Sequence, residues 1–242
     1  MRFQPGLLPT AAALVCVVVT VYLGNWQRAR ATEKELRQVE FDARAAERPA
    51  LLNSVARDTD LLYRRGIAKG SWHKAGEIFL DNKVSDGAAG YHVVTPLRLA
   101  DGIHYILVNR GWIRRGPAYP LPPAVPLAGG AASVSGVLVQ PTTRFVELSV
   151  DQVQGQVWQN LTIDRYRQAT GLDILPYVLI ADTADAPLKP VTERPSAGAE
   201  KHTEYMFTWY ALAVTVVILW IVLNLSPATA VNTESDNVKG NV

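Results

Sequence analysis

The chain has 242 residues, 48% of them hydrophobic, and 24 basic against 22 acidic side chains leave a formal charge of +2. That length accommodates one domain of ordinary size with additions, and so small a charge offers no electrostatic footprint for nucleic acid. A single cysteine, Cys16, and two methionines exclude a disulfide framework and a thiolate metal site, and argue against a copper carrier built on sulfur ligands.

The first element in chain order is an apolar run. No residue from Leu7 to Gly24 is charged, and the same holds from Tyr205 through Val231. Each run meets the roughly 20 residues that cross about 30 Å of hydrocarbon. The end of the first run, VYLGNWQRAR, lacks a small-x-small cleavage site and carries Trp26 and Arg28 instead, so it reads as a retained anchor. Transmembrane helices are therefore expected at 7–25 and 205–225, with a short tail at 226–242 and both termini on one side. The cluster Arg28, Arg30, Lys34 and Arg37 after span one, against Arg2 before it, votes for a cytoplasmic middle domain. Domains of this size, however, translocate largely regardless of charge.

Residues 26–48 are rich in Ala, Glu, Arg and Leu, all good helix formers. Leu36, Val39 and Ala43 fall at helical spacing, so the first helix should continue past the membrane until Pro49 closes it. From Leu61 the pattern changes. YRRGIAKGSW, EIFLDN, YHVVTPLRL and HYILVNRGW are short alternating runs divided by Gly, Asn and Asp, the signature of strands. Asp81–Asn82 and Asp101–Gly102 read as hairpin turns. GPAYPLPPAVPLAGG, residues 116–130, is too proline-rich for either regular element and reads as an exposed loop. VSGVLVQ resumes the strands. TIDRYRQATG predicts a short helix capped by Thr162 and ended by Gly171. LPYVLIAD is a buried strand, and APLKPVTERPSAG is a second extended loop. The fold class expected is a membrane α-helical hairpin, two transmembrane helices, with a mostly β extramembrane domain, barrel or sandwich, over 58–198.

Catalytic motifs are missing from the sequence. His73, His92, His104 and His202 form no HExxH and no i, i+4 pair, and there is no GxSxG, P-loop or GxGxxG. No enzyme is expected. Two clusters hold more interest. VNRGW with Arg114 has two readings. It is a strand ending in a glycine-assisted bend, with Trp112 covering an edge; or Asn109, Arg110, Trp112 and Arg114 form a face whose guanidinium forks meet an acidic partner. Before the second apolar run, His202, Tyr205, Met206 and Trp209 follow i, i+3, i+4, i+7 and should share one helix face. As anchors, Tyr205, Trp209 and Tyr210 suit the aromatic belt of a bilayer surface.

Taken together, LGNWQRARATEKE, LDNKVSDGAAGYHVVTPLRL, LVNRGWIRRG, VWQNLTID and HTEYMFTWYALA resemble the Surfeit locus protein 1 family over nearly the whole chain. Where that family usually reads Asn-His-Leu, this chain has Lys201-His202-Thr203. The resemblance implies an assembly factor, or chaperone, for haem–copper cytochrome c oxidase in respiratory chain biogenesis. Its β domain would be periplasmic, in a bacterial inner membrane. It implies transient handling of haem a for delivery to oxidase subunit I, in contact with other assembly factors. On that reading His202 is the ligand to the haem iron, Tyr205, Trp209 and Trp26 wall the slot, and Arg28, Arg30 and Lys201 meet the propionates. The alternative is a cofactor-free, membrane-anchored scaffold that binds the oxidase subunit through its β domain.

Overall fold

The computed structural model describes residues 2–54, 59–141, 153–191 and 198–226. The chain divides into two compact units, Met1–Leu36 with Ser196–Val242, and Arg37–Pro195. The expected tail beyond Ser226 and residues 192–197 of the second extended loop lie outside the described residues.

The first unit pairs two antiparallel helices. Helix α1 runs Leu7–Ala45, continuous through the expected extension, and helix α3 runs Ala199–Leu223. Both are long and apolar enough to cross a membrane, with mean hydropathy 2.2 and 2.3 over their most apolar stretches. Only 6% of each stretch is buried within the protein, so neither is the core helix of a globular domain. Together they suggest membrane anchoring. The least exposed positions of α1 include Thr10, Ala13, Val17, Thr20, Gly24, Gln27 and Ala31, alternating three and four apart. On α3 the corresponding seam holds His202, Met206, Trp209, Ala213, Val216, Trp220 and Asn224. This is the spacing of side chains that interlock between two helices, and small residues bring the backbones close where lipid supplies no hydrophobic drive. At the far end, Trp220 Nε1 donates to Thr10 Oγ1 at 3.1 Å and Gly6 N to Asn224 Oδ1 at 3.3 Å. There strand β1 (Arg2–Phe3) pairs antiparallel with β11 (Leu225–Ser226), which brings the outer ends of the two helices together.

The second unit is built on a nine-stranded sheet. Its strands are β2 (Ala50–Leu51), β3 (Arg65–Trp72), β4 (Ile78–Ser85), β5 (Ala88–Leu99), β6 (Tyr105–Arg114), β7 (Ala131–Val139), β8 (Val153–Gln154), β9 (Val157–Trp158) and β10 (Ile174–Ala181). The spatial order is β2-β3-β7-β10-β6-β5-β4-β9-β8, and β3 also pairs with β5. That last pairing, Gly70 to Leu99 through Trp72 to Leu97, closes β3, β7, β10, β6 and β5 into a barrel and decides between barrel and sandwich. Gly70 permits the closure: a Cβ there would come 1.8 Å from Arg98 O. Alternation then sorts the side chains. Ala68, Leu97, Ile106, Val108, Leu138 and Leu179 fill the interior cluster. Leu80, Val94, Leu107 and Val178 face the other way, under Trp158, Leu161 and Tyr166. Because the sheet is covered on both faces, β5 and β6 read as near-continuous apolar runs.

Helix α2 (Ile163–Thr170) follows its caps as expected. Thr162 Oγ1 accepts from Arg165 N at 3.2 Å, and Gly171 stops the helix at φ 69°. Two sequence expectations need correction. Asp81 and Asn82 do not make a hairpin turn; they lie inside β4, where the register to β5 shifts between Leu80 and Lys83 and Asn82 takes φ 60°. The hairpin turn falls at Asp86–Gly87, with φ 50° and 73°, as a two-residue β-turn of that handedness requires. The proline-rich stretch is irregular but not wholly exposed. Val125 is buried with Phe79, Tyr91, Val93, Ile113 and Leu188.

Candidate functional site

The collar of the helix pair assembles around the opening residues of α3. Gly198, in the left-handed region at φ 80°, precedes the helix, so His202 stands on its first turn. The imidazole Nδ1 lies 2.7 Å from Gln27 Oε1 on α1. Two turns on, the Tyr210 hydroxyl donates to Asn25 Oδ1 at 2.7 Å. The Tyr210 ring lies over Gly24, where a Cβ would approach it to 2.5 Å. LGNWQ is therefore a helix-contact motif: the glycine admits a ring, and Asn25 and Gln27 satisfy a phenol and an imidazole. Sequence reasoning missed Gly24, Asn25 and Gln27 as site residues; the signal was two neutral polar groups at the end of an apolar run.

The expected haem residues distribute unevenly about this contact. His202, Met206 and Trp209 lie half-buried on the seam, whereas Tyr205 turns outward and is 56% exposed. The single shared face predicted for these four thus holds for three of them. Trp26, flanking Gln27, is 46% exposed, and Arg28, Arg30 and Lys201 are exposed. Arg30 is held by Glu33 at 2.8 Å. The arrangement offers an imidazole, two open aromatic faces and three cations on one helix pair.

VNRGW in the second unit is a different object. Opposite β5, Val93 pairs with Gly111 but Val94 with Asn109, so Arg110 is the extra residue of a β-bulge. A bulge re-aims a side chain, and here it turns Arg110 inward. The guanidinium is 5% exposed, donates to Glu77 Oε2 at 3.2 Å and to Pro126 O at 2.7 Å, and sits 5.5 Å over the Trp72 ring. Glu77 is buried as well and also accepts from Thr95 Oγ1 at 2.8 Å and from Lys74 Nζ. Lys74 in turn donates to Val125 O at 3.1 Å, so this ionic cluster ties the proline-rich stretch down from two sides. Gly111 takes φ 143°, and a Cβ there would meet Lys189 O at 2.7 Å. Trp112 is 5% exposed, exchanges backbone hydrogen bonds with Lys189 and donates from Nε1 to Lys83 O at 2.9 Å.

The expectation that Asn109, Arg110 and Trp112 present a partner face is therefore corrected. All three are buried, because the bulge spends its guanidinium on Glu77. Arg114 alone of the four is exposed. Next to it, Arg115 binds Asp81 Oδ1 at 2.7 Å and stacks on Tyr119 at 4.4 Å.

The other histidines have structural settings. His92 is 6% exposed on β5; burial, aided by the Lys83 charge, lowers its pKa to about 4 and keeps the ring neutral. It lines a cavity of about 210 Å³ with Lys83, Asn109 and Gln159, below the roughly 300 Å³ at which ligand pockets begin. His104 is 2.5 Å from Asp101 in the β5–β6 turn. Burial would raise the Asp101 pKa, but hydrogen bonds from His104 and Ile103 hold it down at about 2. Among the described residues no three His, Cys, Asp or Glu side chains gather as a metal site.

Two apolar helices together with a closed β-barrel unit define a membrane-anchored β-domain protein. The chain belongs to the SURF1 family, whose model matches residues 14–214. It is similar to a SURF1-like protein of Monosiga brevicollis, 28% identical over 88% of this chain and 86% of the relative. A SURF1-like protein of Rickettsia felis is 24% identical over 86% of this chain and 93% of its own length. Surfeit locus protein 1 of Mus musculus is 24% identical over 86% of this chain and 73% of its own length.

Proposed function

We propose that this chain is a non-enzymatic assembly factor for haem–copper cytochrome c oxidase, holding haem a at the collar of its helix pair for delivery to subunit I. The observation that carries this reading is His202, on the first turn of an apolar helix, with its Nδ1 2.7 Å from Gln27 Oε1, the residue between Trp26 and Arg28. The residues fit the group chemically. Haem a, when bound, supplies an iron that takes an imidazole nitrogen, two propionates that take cations, and a wide apolar face. His202 offers the nitrogen. Arg28 and Lys201 offer exposed cations, with Arg30 shared with Glu33, and Trp26, Tyr205 and Trp209 offer aromatic surface. Five of those side chains, Trp26, Arg28, Arg30, Lys201 and Tyr205, are exposed, which suits a carrier that must let go.

His202→Ala tests this in protein purified from cells that make haem a. Bound haem should fall at least tenfold while the amount of membrane-inserted protein stays near wild type, because Met206 to Leu223 is untouched. An unaltered haem spectrum would overturn the assignment.

The barrel unit is proposed to face the periplasm of a bacterial inner membrane. A reporter active only outside the cytoplasm, inserted near Pro122, should be active, and one at the C-terminal end silent. The reverse pattern would remove periplasmic haem handling.

A further inference from the structure

Haem a ligation by His202 leaves open which ring nitrogen meets the iron, and the helix contact answers that. A neutral imidazole has one N–H and one lone pair, and the hydrogen bond made by one nitrogen fixes the role of the other. Gln27 Oε1 lies 2.7 Å from Nδ1. A carboxamide oxygen only accepts, so Nδ1 must carry the proton and Nε2 the lone pair. Histidine in water favours the opposite tautomer, with the proton on Nε2, which leaves only Nδ1 free to ligate.

The acceptor is itself constrained. Gln27 is half-buried on the α1 seam between Gly24 and Ala31, both buried, and close packing limits where its carboxamide can swing. His202 likewise stands half-buried on the α3 seam, its Nδ1 edge toward α1. A ring held by an outer acceptor in this way is oriented and made more basic, an effect that costs about 10–100-fold in metal affinity when removed.

We infer that Gln27 is the positioning residue for His202, fixing the Nδ1–H tautomer so that Nε2 is the ligating nitrogen. This rests on the reading of His202 as the haem ligand, but the tautomer itself can be read with no haem bound. WQ after the first span thus has two separate duties. Trp26 shows its ring outward, and Gln27 sets the electronics of a residue contributed by the second span.

The experiment uses the full chain in lipid nanodiscs, labelled with 15N-histidine. The chain has only four histidines, and the His202 signals are those lost in His202→Ala. At about pH 8.5, above the ordinary imidazole range near 6.5, His202 should show an unprotonated Nε2 and a protonated Nδ1. Gln27→Leu should reverse that pattern and lower haem retention about tenfold. Gln27→Glu, which keeps an acceptor, should restore both and raise the iron–histidine stretching frequency. A protonated Nε2 in the wild type, or an unchanged pattern in Gln27→Leu, overturns the inference and reduces the contact to an interhelical latch. Wild-type protein that binds no haem while showing the stated tautomer overturns the haem reading alone; Gln27 would still set the ring.

Discussion

The barrel unit and the helix pair bury polar groups in opposite ways. In the barrel, Glu77 and Arg110 are both ionic and almost wholly buried, and the carboxylate is surrounded by Arg110, Lys74 and Thr95. In the helix pair, the seam contacts are made by carboxamides, hydroxyls, an indole and an imidazole, with no carboxylate, ammonium or guanidinium among them: Gln27 with His202, Asn25 with Tyr210, Thr10 with Trp220. The difference follows from what else each environment supplies. A barrel end with loops around it can provide three donors to one carboxylate and a backbone carbonyl to the remaining guanidinium face. An apolar helix has its backbone groups already bonded, and an ion there costs about 2.5–3.5 kcal/mol. Neutral amides and hydroxyls latch the helices at a fraction of that penalty.

The largest effect expected from this contrast is in the barrel. Glu77→Ala strands the Arg110 charge, and breaking a buried pair typically costs about 3–5 kcal/mol; chemical denaturation with intrinsic tryptophan fluorescence measures it. The double variant Glu77→Leu, Arg110→Met should recover most of the loss, since apolar replacement of both partners is often neutral. A double variant no more stable than Glu77→Ala alone would mean that the ions fix the loop rather than balance each other.

Next in size is a pH effect on the same unit. His92 is held neutral, with its folded pKa below the unfolded value, so the unfolded chain binds the extra proton. Stability is fully present above about pH 6.5 and drains away as pH falls toward 4, by about 3 kcal/mol at most. Thermal unfolding between pH 7 and 4 should show this slope, and His92→Gln should flatten it. Thr10 and Trp220, which join the helices at their other end, carry no titratable group, so crosslinking between α1 and α3 there should be unchanged across the same range.

Smallest are the latches. Tyr210→Phe keeps the ring over Gly24 and loses one interhelical hydrogen bond, worth about 0.6 kcal/mol in a membrane. Gly24→Val should do more, about 1–3 kcal/mol, because the added methyl groups drive the Tyr210 ring away. Disulfide trapping between cysteines placed at Val17 and Ala213 in a Cys16→Ser background, compared across variants, would rank the two. A larger loss from Tyr210→Phe than from Gly24→Val would make polar latching, rather than close packing, the main bond between the helices.

These contrasts also explain which features the sequence disclosed. The strands announced themselves because alternation is local: Ile106 and Val108 point one way and Leu107 the other, within a single short run. The caps of α2 were equally local, a threonine before and a glycine after. Asp81–Asn82 misled because a bulge and a turn both want a residue that tolerates positive φ, and only the strand partner distinguishes them. The inward turn of Arg110 was hidden for the same reason. One inserted residue changes which face a side chain occupies, and nothing in VNRGW counts the residues on β5. At the collar, His202 could be singled out by its place before an apolar run. Gln27 could not, because its partner lies 175 positions away and the pairing depends on the register of two helices.

The position of β10 has a consequence for how the protein is made. It is the last long strand among the described residues, yet it lies in the middle of the sheet, between β7 and β6. During synthesis, N-terminal segments emerge first, so the first apolar helix and four of the barrel's five strands exist before the strand that joins them. Until Ala181 has emerged, β6 and β7 each carry an open hydrogen-bonding edge, the kind of surface on which chains aggregate. A ribosome stalled between Val139 and Ile174 would hold a tethered half-barrel with two sticky edges. Chains released there should be cleared by proteases or precipitate, while chains that stop after Asp182 should already resist digestion.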